Sequence, residues 1–141
     1  SGAAGISLAV AARGVSTEVI GAQSAQAPAA WHAWSEKRLD VGAGMSTRHE
    51  GLATRVPFQM TMEILWERLQ DFVLVQDSVI DNAVRWLASD AHLVAEGAGA
   101  AAVAVLDGLG DRIAGKRVVA VVTGGNLPLE RYASLLQGNP A

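Results

Sequence analysis

The chain has 141 residues, half of them apolar and 18% charged, and its 11 basic and 14 acidic side chains leave a formal net charge of −3. That length suits one modest domain, too apolar to be disordered and, with a pI near 5.5, too acidic to be held on nucleic acid by phosphate contacts. The absence of cysteine excludes disulfides and thiolate chemistry, and no uninterrupted apolar run reaches the roughly 18 residues of a membrane span, so a cytoplasmic protein is expected.

The chain opens Ser1-Gly2-Ala3-Ala4-Gly5, without methionine and without the layout of a secretory signal. It reads as a processed start, a cloning remnant or the later part of a longer polypeptide. Ile6, Ala9 and Val10 then lie at helical spacing, and Gly14 is a good stop. Residues 18–22 read as a short strand. Pro28 begins a helical stretch carrying Trp31 and Trp34, and the periodicity fails from Leu39 to Pro57, a long glycine-marked loop.

Beyond Pro57 the pattern returns. Met62, Leu65, Trp66 and Leu69 share a helical face, and Phe72-Val73-Leu74-Val75 reads as a strand covered on both faces. Asp77 is placed to cap a helix that buries Ile80, Ala83, Val84 and Leu87. Residues 100–106 form a small-residue helix, 117–122 are the clearest buried strand, and Leu129, Tyr132, Ala133 and Leu136 give a last helical face. Apolar strands alternating with helices predict an α/β fold: an open, mostly parallel twisted sheet with helices on both faces. Only strands near 18–22, 72–76 and 117–122 are legible, against about five or six in an ordinary sheet. The sheet is expected to be incomplete and to leave apolar surface open.

In open parallel sheets, ligands bind beyond the carboxyl ends of strands, beside helix N-termini. Thr123-Gly124-Gly125-Asn126 sits at such an end, where glycine lets a ligand approach the backbone and Asn126 could cap the next helix. A tight strand-to-helix turn explains the same residues. Glu96-Gly97-Ala98-Gly99 repeats the theme, with a carboxylate that would equally serve as a cap. Ser1-Gly2 before a helix fits the end of an anion-binding glycine loop. His32, His49 and His92 lack ligand spacing. Lys37 and Lys116 lie among surface charges or in a turn, not in desolvated surroundings. The four tryptophans, at 31, 34, 66 and 86, read as core.

Taken in order, these segments resemble something specific. Gly5-Ile6-Ser7-Leu8-Ala9, Val19-Ile20-Gly21-Ala22-Gln23 and Ala27-Pro28-Ala29 are similar to the stretch after the glycine loop of threonine and serine dehydratases. His49-Glu50-Gly51-Leu52-Ala53 resembles their Ala-Asp-Gly-Ile/Leu-Ala segment. Val94 to Ala101 and Val121 to Asn126 resemble their two closing motifs. The chain thus resembles the carboxyl-terminal part, residues 1–141, of a fold-type-II pyridoxal-phosphate enzyme of the threonine dehydratase and serine racemase group, chiefly its cofactor-binding domain and with no regulatory domain.

The resemblance implies that Thr123 faces the pyridine nitrogen, that Gly124, Gly125 and Asn126 shape that edge of the pocket, and that Glu96 lines the cofactor side. It places Ser1 and Gly2 at the trailing edge of the phosphate-binding glycine loop, Ser1 in place of a glycine. Glu50 falls on an acidic position associated with a divalent cation, where the family pattern has Asp. The implied activity is a lyase: an ammonia-lyase converting a β-hydroxy amino acid such as threonine or serine to a 2-keto acid and ammonia, in a homodimer. The Schiff-base lysine belongs to an earlier segment, so no catalytic residue is assigned here and the chain alone is expected to be inactive. A β-replacement enzyme of the cysteine-synthase kind and a non-enzymatic α/β ligand-binding module are the alternatives; no Gly-x-Gly-x-x-Gly follows a strand to favour a dinucleotide site.

Overall fold

The computed structural model describes residues 1–138. Helix α1 (Gly2–Arg13) starts earlier than the apolar spacing suggested and ends where Gly14 turns left-handed, φ 63°, with its N–H closing on the Ala11 carbonyl. Strands β1 (Ile20–Ser24) and β2 (Asp71–Val75) pair in parallel, Ile20 opposite Asp71 and Ser24 opposite Val75. Between them lie α2 (Ala29–Glu36), the long loop with one 3-10 turn at Glu50–Leu52, and α3 (Gln59–Arg68). After β2 come α4 (Asp77–Ser89), α5 (Gly97–Ala104), α6 (Leu106–Leu109) and α7 (Leu129–Leu136).

The helices divide between the two faces of the sheet, as the alternation of elements requires. On one face Ala4 of α1, Ala33 of α2, and Met62 and Leu65 of α3 pack with Leu69 and Phe72. Gly21 of β1 belongs to this face because a Cβ there would stand 2.9 Å from the Phe72 ring. On the other face Ile80, Val84 and Leu87 of α4 pack with Ala100, Ala101 and Ala104 of α5, against Val75 and the half-buried Ile20 and Ala22. Fully burying an aliphatic side chain of that size contributes about 1.5–3 kcal/mol, so the i, i+4, i+7 stripe of α4 is the largest single hold on this half of the core.

Four sequence expectations are corrected. The residues 117–122, the most strand-like in the chain, form neither helix nor strand and pair with nothing among the described residues. A strand exists only by virtue of a neighbour, and among the described residues the sheet has the two strands β1 and β2. Asp77 does not cap α4 from outside: Gln76 holds the cap position, and Asp77 is the first helical residue, buried. Asn126 likewise does not cap α7, which begins after Pro128. Trp86 is 52% exposed rather than core. The other three indoles are half-buried and donate to carbonyls of Phe72, Leu65 and Ala33, tying α2 to α3 and β2. No helix among the described residues is long and apolar enough to cross a membrane.

Candidate functional site

An open cleft of about 680 Å³ lies along the free side of β1. Residues 19–23, Val119, Val121 and Thr123 line it, together with Ser1 and Gly2. Of the residues singled out in the sequence, the cleft therefore brings together Thr123, Ser1 and Gly2, which are more than a hundred positions apart in the chain. Ser1 stands at the cap position of α1 without a side-chain cap bond, so the first amides of that helix remain open to a ligand. Thr123 is exposed; its N–H reaches the Gly99 carbonyl at 3.4 Å, while its hydroxyl has no partner among the described residues.

Glu96, Glu50 and Asn126 gather elsewhere, in a smaller cleft of about 60 Å³ that they share with Arg48, His49 and Arg131. Gly51 and Ala98 form the partition between the two spaces. Glu96 precedes α5 but makes no side-chain cap bond, so the capping explanation for it fails. Its backbone N–H instead donates to the Gly124 carbonyl at 2.9 Å. Gly124 and Gly125 line neither cleft; they are where two backbones close on each other.

That closure explains the glycines. A Cβ at Gly99 would stand 2.3 Å from the Gly124 carbonyl oxygen, one at Gly124 2.3 Å from a Glu96 carboxylate oxygen, and one at Gly125 2.9 Å from the Val94 carbonyl oxygen. A Cβ at Gly97 would fall 2.0 Å from Nδ1 of His49, and one at Gly51 2.6 Å from the Ala98 Cβ. The segments 49–51, 96–99 and 123–125 thus interlock through missing side chains, and Thr123 is carried on the last of them. Glu50 is exposed on its 3-10 turn, and no cluster of three or more His, Cys, Asp or Glu able to hold a metal occurs among the described residues.

The residues that sequence reasoning missed support this interlock from below. Asp77 accepts from the Ser24 hydroxyl at 2.6 Å, the Thr47 hydroxyl at 3.0 Å and the Arg48 N–H at 2.9 Å. Burial pushes the Asp77 carboxyl up, but the hydrogen bonds from Ser24, Arg48 and Thr47, with His49 nearby, outweigh it and hold the group below its ordinary value. One turn on, Asp81 pairs with Arg48 at 2.6 Å and comes within 3.4 Å of the buried ring of His49. This pins the carboxyl end of β1, the loop at 47–49 and the start of α4 to one another. The only sequence signal was two aspartates four apart at a helix start, which ordinarily means a solvated first turn.

Comparison with known proteins places this geometry. A catabolic L-threonine dehydratase of Staphylococcus aureus is 31% identical over 137 residues, covering 95% of this chain. This chain spans only 40% of that relative's length. Among solved structures, a threonine deaminase from T.th. superposes with a TM-score of 0.74 at 26% identity, over 90% of this chain and 46% of that one. The processed form of a threonine deaminase isoform from Solanum lycopersicum shares the fold, with a TM-score of 0.85 at 20% identity over 96% of this chain and 40% of that one. The family model described as pyridoxal-phosphate dependent enzyme matches residues 1–124, which include Thr123 and the whole lining of the large cleft. This chain therefore belongs to the family of pyridoxal-phosphate dependent enzymes.

Proposed function

We propose that this chain is the carboxyl-terminal part of an ammonia-lyase that converts a β-hydroxy amino acid, such as threonine or serine, to a 2-keto acid and ammonia. The names of its relatives, L-threonine dehydratase and threonine deaminase, support that reaction class. The observation that carries the reading is the neutral, unpartnered hydroxyl of Thr123 in the same cleft as the open N-terminus of α1. Pyridoxal phosphate, when bound, supplies the electron sink for breaking the Cα–H and Cβ–O bonds of the substrate.

This chain's residues fit that cofactor in three ways. The cleft lies within the roughly 300–1,000 Å³ of small-molecule sites. The open amides of Gly2 and Ala3 suit a phosphate, since the start of a helix combines free N–H donors with a positive dipole end. Thr123 would donate its hydroxyl to the ring nitrogen; being neutral, it leaves that nitrogen unprotonated, which favours prompt loss of a β-hydroxyl over transamination. Gly99, Gly124 and Glu96 hold Thr123 in place through the backbone contacts described above, with Glu96 acting by its N–H.

The two lysines, Lys37 and Lys116, do not line the cleft, and Lys37 is engaged with the Trp66 carbonyl. The Schiff-base lysine and the substrate-carboxylate contacts would come from an amino-terminal part of the same enzyme. In the overall reaction one water leaves from Cα and Cβ and one returns as the nitrogen is released, so the products are one keto acid and one ammonia. The test is to supply the whole protein and this chain alone with pyridoxal phosphate and L-threonine or L-serine. Equimolar keto acid and ammonia from the whole protein, and neither from the chain alone, is the expected result. A whole protein that releases no keto acid, or instead joins a thiol to the β-carbon, would refute the reading.

A further inference from the structure

The resemblance associates a divalent cation with the acidic position at which this chain has Glu50. Glu50 is exposed, but the turn that carries it is fastened at its other end, where the Leu52 carbonyl accepts from Gln23. Gln23 lies in β1 and is 6% exposed. Its side-chain nitrogen donates to the Leu52 carbonyl at 2.8 Å and to the Ala27 carbonyl at 2.7 Å. Two carbonyls from separate turns therefore converge on one atom, a nitrogen whose two hydrogens go one to each. Hard divalent cations are held by oxygens converging in this manner, carbonyls among them, together with carboxylates. No carboxylate joins this pair: Asp77, which reaches the neighbouring Ser24, is already committed to Ser24, Thr47 and Arg48. A doubly charged ion on two neutral carbonyls would sit uncompensated in a buried place, whereas an amide brings two N–H donors and no charge. One more neutral bond fastens the loop, from the Ser46 N–H to the Gln26 carbonyl at 2.8 Å.

We propose that the side-chain amide of Gln23 takes the place of a structural divalent cation, drawing the Ala27 and Leu52 carbonyls together, so that this protein keeps its cleft in shape without a metal ion. Gln23 and Leu52 both line the large cleft, and Gly51 of the same turn belongs to the partition from the smaller one. Gln23 is therefore a positioning residue for the cofactor cleft, acting through the 50–52 turn. One substitution inverts the chemistry. In Gln23→Glu an oxygen replaces the nitrogen, so a carboxylate faces two carbonyl oxygens with nothing to donate and repels them. The same oxygens, one side chain now charged, make a donor set suited to calcium, manganese(II) or magnesium, with water completing the coordination. A metal-independent tie becomes a metal-dependent one. None of this depends on which reaction the parent enzyme performs.

The test is thermal unfolding of the whole protein as wild type, Gln23→Glu and Gln23→Leu, first freed of metal with a chelator and then titrated with magnesium, calcium or manganese(II) ions alone. Wild type is expected to keep its Tm within about 1 °C in every condition, and its affinity for pyridoxal phosphate unchanged, because its tie has no metal to lose. In the chelator both variants should fall by at least about 4 °C, since each leaves two buried carbonyls without a donor. A divalent cation should restore most of that loss in Gln23→Glu and none of it in Gln23→Leu, which offers no charge. Should Gln23→Glu fail to fold in the chelator, its recovery on refolding with the cations carries the same meaning, and the wild-type titration needs no variant at all. A wild type that loses several degrees or its cofactor in the chelator would overturn the proposal. So would a Gln23→Glu that is as stable as wild type without metal or gains nothing from any of the three cations, and so would a Gln23→Leu that recovers equally.

Discussion

Replacing Gly97 by alanine tests the interlock that carries Thr123. The new Cβ would lie 2.0 Å from Nδ1 and 2.4 Å from Cγ of His49. That ring cannot swing aside: its side chain is 2% exposed and is hemmed in by the Asp81 carboxylate and the Asp77 carbonyl, each at 3.4 Å. Overpacking of this kind costs about 1–3 kcal/mol, and alanine's better helix propensity at the start of α5 offsets up to about 1 kcal/mol. A 2.0 Å approach to a ring that cannot move belongs in the upper part of the overpacking range, about 2–3 kcal/mol, so the net loss is about 1–2 kcal/mol, or a fall in Tm of roughly 3–8 °C for a domain of this size. The assay is urea denaturation of the wild-type chain, Gly97→Ala, His49→Ala and the double variant. The three atoms nearest that Cβ all belong to the His49 ring, so with the ring gone the double variant should be no less stable than His49→Ala, a coupling of about 1–2 kcal/mol. Additivity within about 0.5 kcal/mol would show that ring and glycine are not in contact and refute the interlock.

Gly99→Ala sets a Cβ 2.3 Å from a backbone carbonyl oxygen, which has no rotamer to escape to. It should cost at least about 2 kcal/mol in the same denaturation assay, with no second-site rescue at His49. Asp77→Asn should lose about 1–3 kcal/mol at neutral pH, because an amide cannot accept from Ser24, Thr47 and Arg48 together. Since the folded-state pKa of Asp77 is lowered from 3.8, its contribution is complete above that value and is lost as pH falls through the lowered one. The difference between wild type and Asp77→Asn should therefore shrink in acid below about pH 4, as read from stability against pH. In the whole enzyme, Thr123→Asp should hold a proton on the ring nitrogen and raise the ratio of transamination to elimination, measured on L-serine.

The elements that were legible in the sequence are those whose stabilisation is local and periodic. The stripe Ile80, Val84, Leu87 has the spacing of a helix face and is buried as one. The run Phe72 to Val75 reads as a strand by composition and pairs with β1 as one, and β1 lies within two residues of its expected place. Residues 117–122 have the same composition but no pairing strand among the described residues, and apolar content specifies burial without supplying the partner. The Asp77 network was invisible because its partners, Ser24, Thr47 and Arg48, lie 53, 30 and 29 positions away and none carries a local pattern. The candidate site was half legible. The glycine-rich turns at 96–99 and 123–126 looked alike as separate helix starts, and the structure explains their glycines by mutual contact, Gly99 against Gly124. That Glu96 and Asn126 fall in a different cleft from Thr123 follows from the partition at Gly51 and Ala98, which no spacing rule conveys.

The central claim is that the hydroxyl of Thr123 faces the cofactor, and pyridoxal phosphate affinity of the whole enzyme tests it most directly. Removing one neutral hydrogen bond costs roughly 0.5–1.5 kcal/mol, so Thr123→Ala should bind pyridoxal phosphate about two- to twelvefold more weakly than wild type, with Thr123→Ser close to wild type. The titration is followed by the absorbance of the bound cofactor, on protein whose denaturation curve is unchanged. An affinity equal to wild type in Thr123→Ala would mean that this hydroxyl does not touch the cofactor, and the account of the cleft would be wrong.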